Sequence, residues 1–114
     1  MPELSIYDAT DPSTSSKAME QSLRLADPPT AVIGMNHGVS IGILNTLMRQ
    51  APKMSFIGVD EFELSDALGI NVIDCRPEEL GRLAARVAID RIKTPQLPTV
   101  TVSLTPNLVI RTPL

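Results

Sequence analysis

The sequence is poor in aromatic residues and in cysteine. Its 114 residues include two phenylalanines, one tyrosine, no tryptophan and one cysteine. With so few rings, the core must be built mainly from aliphatic side chains. The single cysteine, Cys75, cannot form a disulfide within the chain, which is typical of proteins in a reducing cytoplasm. We therefore expect a cytoplasmic protein that is not held together by disulfides.

Long apolar runs and clusters of basic residues are also missing. No apolar stretch approaches the roughly 20 residues of a membrane-spanning helix, and no basic segment followed by an apolar one opens the chain. We therefore expect neither a membrane protein nor a secretory signal. The 10 basic residues are scattered and are outnumbered by 13 acidic residues, which gives a net charge of −3. This balance argues against direct binding of DNA by these residues.

Hydrophobic periodicity and ten prolines divide the chain into short elements. Alternation and apolar runs predict strands, and an apolar residue every three or four positions predicts helices. The predicted strands are 4–7, 30–35, 55–59, 70–73, 100–104 and 108–110, and the predicted helices are 12–26, 39–50 and 78–93, with a helical turn at 64–68. Strands and helices in alternation favour an α/β fold, a parallel sheet flanked by helices.

Two details of this pattern predict how the elements pack. The strands at 30–35 and 55–59 are apolar without alternation, which is typical of strands buried on both faces. Gly42 lies inside the second predicted helix, where glycine costs about 1 kcal/mol relative to alanine. We therefore expect Gly42 to lie close to a neighbouring backbone.

Polar residues follow three of the predicted strands, at Asn36, at Asp60 and at 74–76. Ligands of open parallel sheets bind beyond the carboxyl ends of the strands. An Asn offers a donor and an acceptor and an Asp accepts twice, which suits a polyhydroxylated ligand such as a sugar or nucleoside. The alternative is that Asn36 and Asp60 only cap the helices or turns that follow them.

Nothing in the sequence favours an enzyme, a metal site or a cofactor. His37 is the only histidine, and no His/Cys pair has the spacing of metal ligands. His37 is therefore interpreted as a side chain at the surface or rim of the site, and Cys75 as an inert thiol at a strand end. Phosphate-binding loops and nucleophile elbows are also missing.

Four blocks of residues, in this order, resemble the C-terminal part of the effector-binding core of LacI-type transcriptional repressors. Each block alone is weak, but four in register form a strong pattern. The blocks are Pro29-Thr30-Ala31-Val32-Ile33 followed by Asn36, Ser55-Phe56-Ile57-Gly58-Val59-Asp60-Glu61, Val72-Ile73 with Pro77-Glu78-Glu79-Leu80-Gly81, and Leu108-Val109-Ile110-Arg111.

The resemblance implies a periplasmic-binding-protein-like (type I) fold with two lobes and a small effector between them. Residues 1–114 would then be a single partial effector-binding domain, its C-terminal lobe, without a DNA-binding headpiece. The helix at 77–93 would be a crossover helix that packs on the first lobe, which these residues lack. Asn36 and Asp60 would contact effector hydroxyls. His37 stands where the family has Asp, and Cys75 stands at a position that is often polar.

The expected function is the ligand-sensing part of a LacI-type repressor, which binds a sugar-like or nucleoside-like effector. DNA would be bound only through the headpiece, and no membrane is involved. Because the apolar stripe of the 77–93 helix would otherwise be exposed, we expect a homodimer or a domain-swapped oligomer. The alternative function is a periplasmic-type sugar-binding protein of a transport system, against which the missing signal peptide argues. A flavodoxin-like or response-regulator-like enzyme domain agrees less well with the sequence. The sequence has neither an early acidic pair after the first strand nor a phosphate loop.

Overall fold

The computed structural model describes residues 5–6, 8–50 and 53–113. Three helices and four strands follow one another along this part of the chain. Of the strand predicted at 4–7, residues 4 and 7 lie outside the described residues, and 5–6 are not in a strand. The elements are α1 (Pro12–Leu23), β1 (Ala31–Gly34), α2 (His37–Gln50), β2 (Ser55–Val59), β3 (Asn71–Asp74), α3 (Pro77–Lys93) and β4 (Asn107–Val109).

All three predicted helices form, and α1 and α3 begin at the prolines expected to start them. Asp11 caps α1, because its Oδ1 accepts hydrogen bonds from the backbone N–H groups of Ser13 and Thr14 at 2.8 and 2.9 Å. The α1 helix ends at Leu23 rather than at residue 26. The α3 helix begins at Pro77 with two glutamates in its first turn, as predicted. The helical turn predicted at 64–68 forms within a series of turns over 63–69, where the N–H of Leu68 donates to the carbonyl oxygen of Leu64 at 2.9 Å. No helix in the described part of the chain has the length and apolar character needed to cross a membrane.

The four strands form one sheet in the order β1-β2-β3-β4. The first three strands are parallel, as predicted, but β4 runs antiparallel to β3. The direction of β4 follows from where the chain returns. Asn107, the first residue of β4, pairs with Asp74, the last residue of β3, so the chain re-enters the sheet at its carboxyl edge.

Only one face of the sheet is covered by helices in the described chain. The α2 helix packs on β1 and β2, and α1 packs on α2. The buried apolar side chains that form the core are Met19, Ile43, Phe56, Phe62 and Val72. On the opposite face Ile33 is 52% exposed and Leu108 is 57% exposed. The prediction that β1 is buried on both faces is therefore wrong, because no described helix covers this second face.

Gly42 lies where α1 and α2 touch. A Cβ atom at this position would lie 2.0 Å from Ser15 Oγ and 2.3 Å from the carbonyl oxygen of Pro12. The contact includes backbone atoms, which cannot rotate away as a side chain can. The prediction of a close approach at Gly42 is confirmed.

Residues 77–105 form an arm that extends away from the sheet. The α3 helix has no buried residue and packs extensively on no other described helix or strand. The strand predicted at 100–104 is not formed, and no described strand lies beside it to complete its hydrogen bonds. The arm makes the molecule long, with extents of 59 × 28 × 26 Å and a radius of gyration of 18.0 Å. A compact chain of this length would have a radius of about 13 Å.

The arm also gives the chain an unusually large surface. Its accessible area is 8166 Å², whereas a compact monomer of its mass would expose about 6,100 Å². The difference is about 2,000 Å² for one chain, so a dimer that covered it would bury about 4,000 Å² in total, within the range of obligate dimers. Large apolar side chains contribute to it, among them Leu80, Ile89, Ile92, Leu97, Val100 and Val102.

Candidate functional site

The carboxyl ends of the three parallel strands meet at one edge of the sheet, which we call the rim. Gly34 lies beside Gly58, and Val59 lies beside Ile73. Residues that follow these positions therefore emerge together. The rim consists of Asn36, His37, Asp60 and Cys75.

Asn36 caps α2 with one half of its side chain. Its Oδ1 accepts a hydrogen bond from the backbone N–H of Val39 at 2.9 Å, and its carbonyl oxygen accepts from Ser40 at 2.9 Å. The capping role considered from the sequence is therefore present. Capping uses only the amide oxygen, and within the described chain the Nδ2 group makes no hydrogen bond. Asn36 is exposed, so it can cap the helix and still offer a donor to a ligand.

Asp60 joins the ends of β2 and β3. Its backbone N–H donates to the carbonyl oxygen of Ile73 at 2.8 Å, and its Oδ1 accepts from the backbone N–H of Cys75 at 2.8 Å. The backbone φ of Asp60 is 61°, in the left-handed region, which Asp adopts more readily than most residues. Among the described residues its second oxygen accepts no backbone hydrogen bond, and the Cys75 thiol lies beside the carboxylate. Asp60 is thus held in place by one oxygen while the other remains an acceptor.

His37 follows β1 and lies close to two residues that follow β2. Its ring lies edge-on to Phe62 with centroids 6.3 Å apart, and its Nε2 lies 4.0 Å from a carboxylate oxygen of Glu63. The imidazole is exposed. This agrees with its interpretation as a side chain at the rim.

Cys75 lies beside Asp60 and is half-buried. Burial raises the pKa of its thiol. A hydrogen bond to the Asp60 side chain, followed by the charges of Asp60 and Asp74, raises that pKa further. A thiol that keeps its proton is a poor nucleophile and a poor metal ligand. The structure therefore supports the interpretation of Cys75 as an inert thiol.

A second polar cluster, which the sequence did not single out as one, holds the segment after Asp60. Arg111 binds the carboxylate of Glu61, Asp66 Oδ1 at 3.1 Å and the carbonyl oxygen of Ile70 at 2.7 Å. Glu61 also accepts a hydrogen bond from Ser65. The hydrogen bond from Arg111, followed by the one from Ser65, lowers the pKa of Glu61. We call these residues the Arg111 cluster, and the signal for it was the family-like tail that ends in Arg111.

Asn71 supports the same cluster from the start of β3. Its Oδ1 accepts from the backbone N–H groups of Arg111 and Thr112 at 2.7 and 3.0 Å, and its Nδ2 donates to the carbonyl oxygen of Thr112 at 3.0 Å. Asn71 is buried, at 2% exposure. Its hydrogen bonds fix the C-terminal segment against the sheet, so Asn71 has a structural role.

The rim is an open edge rather than an enclosed pocket, since Asn36 and His37 are exposed and Asp60 and Cys75 half-buried. A groove of about 300 Å³ lies at the opposite edge, where β2 and β3 begin. Leu44, Leu47 and Met54 are among the apolar side chains that line it. Within the residues that the structure describes, no three His, Cys, Asp or Glu side chains are grouped as metal ligands.

The sequence and the fold both match proteins of one family. Residues 1–112 match the model of a periplasmic binding protein-like domain. The chain is 32% identical over 71 residues to the HTH-type transcriptional regulator YkvZ of Bacillus subtilis (strain 168), an alignment that covers 59% of this chain and 22% of that protein.

Solved structures share the fold. A LacI transcriptional regulator from a Rhodococcus species superposes with a TM-score of 0.79 at 25% identity, over 90% of this chain and 40% of the other. A LacI family transcriptional regulator from Enterococcus faecium with bound ribose superposes with a TM-score of 0.76 at 20% identity, over 89% and 39%. The chain thus spans well under half the length of these relatives. It belongs to the family of periplasmic binding protein-like domains, and its fold matches that of LacI-type transcriptional regulators.

Proposed function

We propose that this chain is the ligand-sensing part of a LacI-type transcriptional repressor and that it binds a small polyhydroxylated effector, a sugar or a nucleoside. The observation that carries the proposal is the rim itself. Three neighbouring parallel strands end there, and Asn36 and Asp60 each keep one unused polar group at that edge. The carboxyl edge of such a sheet is where ligands bind in open α/β folds.

The chemistry of the unused groups matches a sugar diol. Asn36 Nδ2 can donate a hydrogen bond to one hydroxyl oxygen, and the free oxygen of Asp60 can accept a hydrogen bond from another. Hydroxyl groups both donate and accept, so neighbouring hydroxyls on one ring can satisfy both partners. His37 and Cys75 border this pair, and the apolar thiol can lie against a sugar ring. The ribose in the similar E. faecium regulator supports a sugar as the effector class.

The rest of the repressor would supply what the rim lacks. An open edge buries too little of a ligand to bind it tightly, because binding sites usually bury most of the ligand surface. The second wall of the cleft would come from the first lobe, which would also cover α3, the crossover helix at 77–93. DNA would be bound by a separate headpiece, and the repressor would act in the cytoplasm.

For the chain of 114 residues alone, we propose that a second copy covers the arm and forms a homodimer by exchange of arms. Burial of a leucine or valine side chain contributes about 1.5–3 kcal/mol. The stripe of α3 contains Leu80, Leu83 and Val87, and a helix of this length is marginal in water without tertiary packing. The exposed area beyond that of a compact monomer supports such an interface.

A sugar-binding protein of a transport system is the second candidate, because it has the same fold. The match to an HTH-type regulator favours the repressor. The coding sequence upstream of this segment distinguishes the two functions. A helix-turn-helix there would support the repressor, and a secretory signal would support the transport protein.

Thermal-shift measurements with a panel of sugars and nucleosides test the site. Because the open edge binds weakly, the sugar is added in large excess. We expect a pentose such as D-ribose then to raise the melting temperature of the parent chain and to have a smaller effect on Asn36→Ala and Asp60→Ala. Asp27→Ala, at an exposed aspartate between α1 and β1, is the matched control. If a sugar stabilises all four proteins equally, the assignment of the site is wrong.

A further inference from the structure

The outer edge of β1 is a free edge of the sheet. Within the described chain β1 pairs only with β2 and ends the strand order. The carbonyl oxygen of Thr30 accepts from the N–H of Ser55 at the start of β2. Because consecutive residues of a strand direct their backbone groups to opposite sides, Ala31 and Ile33 direct theirs away from β2. This edge can therefore accept a further strand.

Residues 100–104 of the arm have the sequence of a strand. Val100, Val102 and Leu104 alternate with polar residues, which is typical of a half-buried strand, and valine is enriched in strands. The segment nevertheless forms no strand, and Val100 and Val102 are 56% and 45% exposed. It is a strand sequence that has no pairing partner within the described chain.

The chain cannot bring this segment to its own β1 edge. Asn107 pairs with Asp74 of β3. In the order β1-β2-β3-β4, a strand added outside β1 lies four strand spacings from β4, or roughly 19 Å. Leu104 precedes Asn107 by three residues, which span at most about 11 Å. A second copy is free of this restriction.

A tight hairpin between the segment and β4 is also disfavoured. Thr105 and Pro106 would have to form its two-residue turn. Such turns need a positive φ at their first central residue, and a β-branched threonine rarely adopts one. The carbonyl oxygen of Thr105 instead accepts from the side chain of Arg76. The remaining place for the segment is the sheet of another copy.

The open face of the sheet offers a surface for α3 as well. Ile33 lies beside Ile57, and Ile73 lies beside Leu108, on the face that no described helix covers. The α3 helix has no buried residue. Residues 94–99 connect it to the segment, a length that is usual between a helix and a strand. One arm can therefore add its strand to the free edge and place α3 over the same sheet.

We propose that residues 100–104 of one copy form an added strand along the free edge of β1 in a second copy, and that α3 covers the open face there. This inference rests on the proposed function, because it assigns the interface of the homodimer proposed for this chain. When both copies exchange arms, the two contacts are equivalent and the assembly closes at two copies. The extended chain exposes about 2,000 Å² more than a compact monomer, which is sufficient for such an interface.

Cross-linking of mixed copies locates the contact. One copy carries Ala31→Cys and a size tag, the other carries Val102→Cys, and Cys75→Ser in both leaves one thiol per copy. They are mixed in urea, refolded together and treated with a short bismaleimide. We expect a product that joins positions 31 and 102. The control replaces Val102→Cys with Lys17→Cys, at an exposed position on α1, and should give little product.

Sedimentation equilibrium of Ala31→Pro is the second test. Proline removes the N–H that faces the free edge and leaves the hydrogen bonds between β1 and β2 in place. We expect its dimer to dissociate about tenfold more readily than that of the parent. Ala31→Ser, which keeps the N–H, should behave as the parent. Circular dichroism shows whether Ala31→Pro is folded, and if it is not, the cross-linking result decides.

The outcomes separate this inference from the proposals on which it rests. A parent chain that is monomeric disproves the homodimer and the added strand together. A dimer that joins two Ala31→Cys copies instead of positions 31 and 102, or a folded Ala31→Pro that dimerises as tightly as the parent, disproves only the added strand. The effector site is decided by the sugar panel, which involves neither β1 nor the arm.

Discussion

The carboxylate of Asp60 accepts a hydrogen bond from the backbone N–H of Cys75 at 2.8 Å, across the ends of two neighbouring parallel strands. Each of these residues follows a strand directly, Asp60 after β2 and Cys75 after β3. The side chain thus extends the β2–β3 pairing by one hydrogen bond beyond the last paired residues.

This relationship predicts unequal effects of two substitutions at one position. Asp60→Asn keeps the acceptor and a residue type that tolerates the left-handed conformation, so we expect a loss of less than about 1 kcal/mol. Asp60→Ala leaves the N–H of Cys75 without its partner, and we expect a loss of about 1–3 kcal/mol. Urea unfolding followed by circular dichroism measures both. Equal losses would show that the hydrogen bond contributes nothing to stability.

Gly42 gives a prediction about the packing of α1 on α2. A methyl group there would overlap Ser15 Oγ and the carbonyl oxygen of Pro12, so α1 must move away from α2. We expect Gly42→Ala to lower the free energy of unfolding by about 1–3 kcal/mol, although alanine is the better helix former. The matched control is Gly81→Ala on α3, where a Cβ would meet no atom within 4 Å. The control should be neutral or stabilising by up to about 1 kcal/mol.

The Arg111 cluster predicts how stability changes in acid. Its hydrogen bond to Glu61 lowers the pKa of that carboxyl below the usual 4.5 in the folded chain. A group with a depressed folded pKa stabilises the fold above its unfolded pKa and loses this contribution as pH falls through the folded pKa. We therefore expect Arg111→Gln to be less stable than the parent at pH 7, with a difference that shrinks below about pH 4.5.

Urea unfolding at pH 7, 5, 4 and 3 measures that difference. Arg24→Gln, at an exposed arginine after α1, is the control and should show no such pH dependence. A difference between Arg111→Gln and the parent that stays constant from pH 7 to pH 3 would contradict the assigned role of the ion pair.

The exposed stripe of α3 predicts self-association of the chain. Sedimentation equilibrium at micromolar concentration should give a dimer for the parent and a monomer for the double variant Leu80→Lys and Val87→Lys. Lysine at these positions would bring unpaired charges into the proposed interface. Ala85→Lys adds a charge at a similar height along the same helix but on its opposite face. This control variant should remain a dimer. A compact monomer for the parent chain would disprove the exchange of arms.

Much of the fold follows from local patterns in the sequence. The cap at Asp11, the start of α3 at Pro77, the apolar strand at 55–59 and the close approach at Gly42 are all determined by neighbouring residues or by one contact. The direction of β4 and the open face beside Ile33 could not be predicted in this way. The direction of β4 depends on where the chain returns after the arm, and the open face depends on which helices lie nearby. Neither can be predicted from the residues of the strand itself.

The rim was only partly predictable. Parallel strands place their carboxyl ends together, so Asn36 and Asp60 could be expected at one edge. The division of each side chain between a structural hydrogen bond and a free polar group depends on atomic positions, as does the contact of Asp60 with the backbone of Cys75. The Arg111 cluster joins residues about 50 positions apart, which no local pattern indicates.

The central claim is that the rim binds a polyhydroxylated effector through Asn36 and Asp60. Titration of the ¹⁵N-labelled chain with D-ribose, followed by two-dimensional NMR, tests it most directly. The account predicts that the side-chain amide of Asn36 and the backbone amides of Asp60 and Cys75 shift first and saturate together. Shifts confined to the groove near Met48 and Ile70, with the rim unchanged, would contradict it.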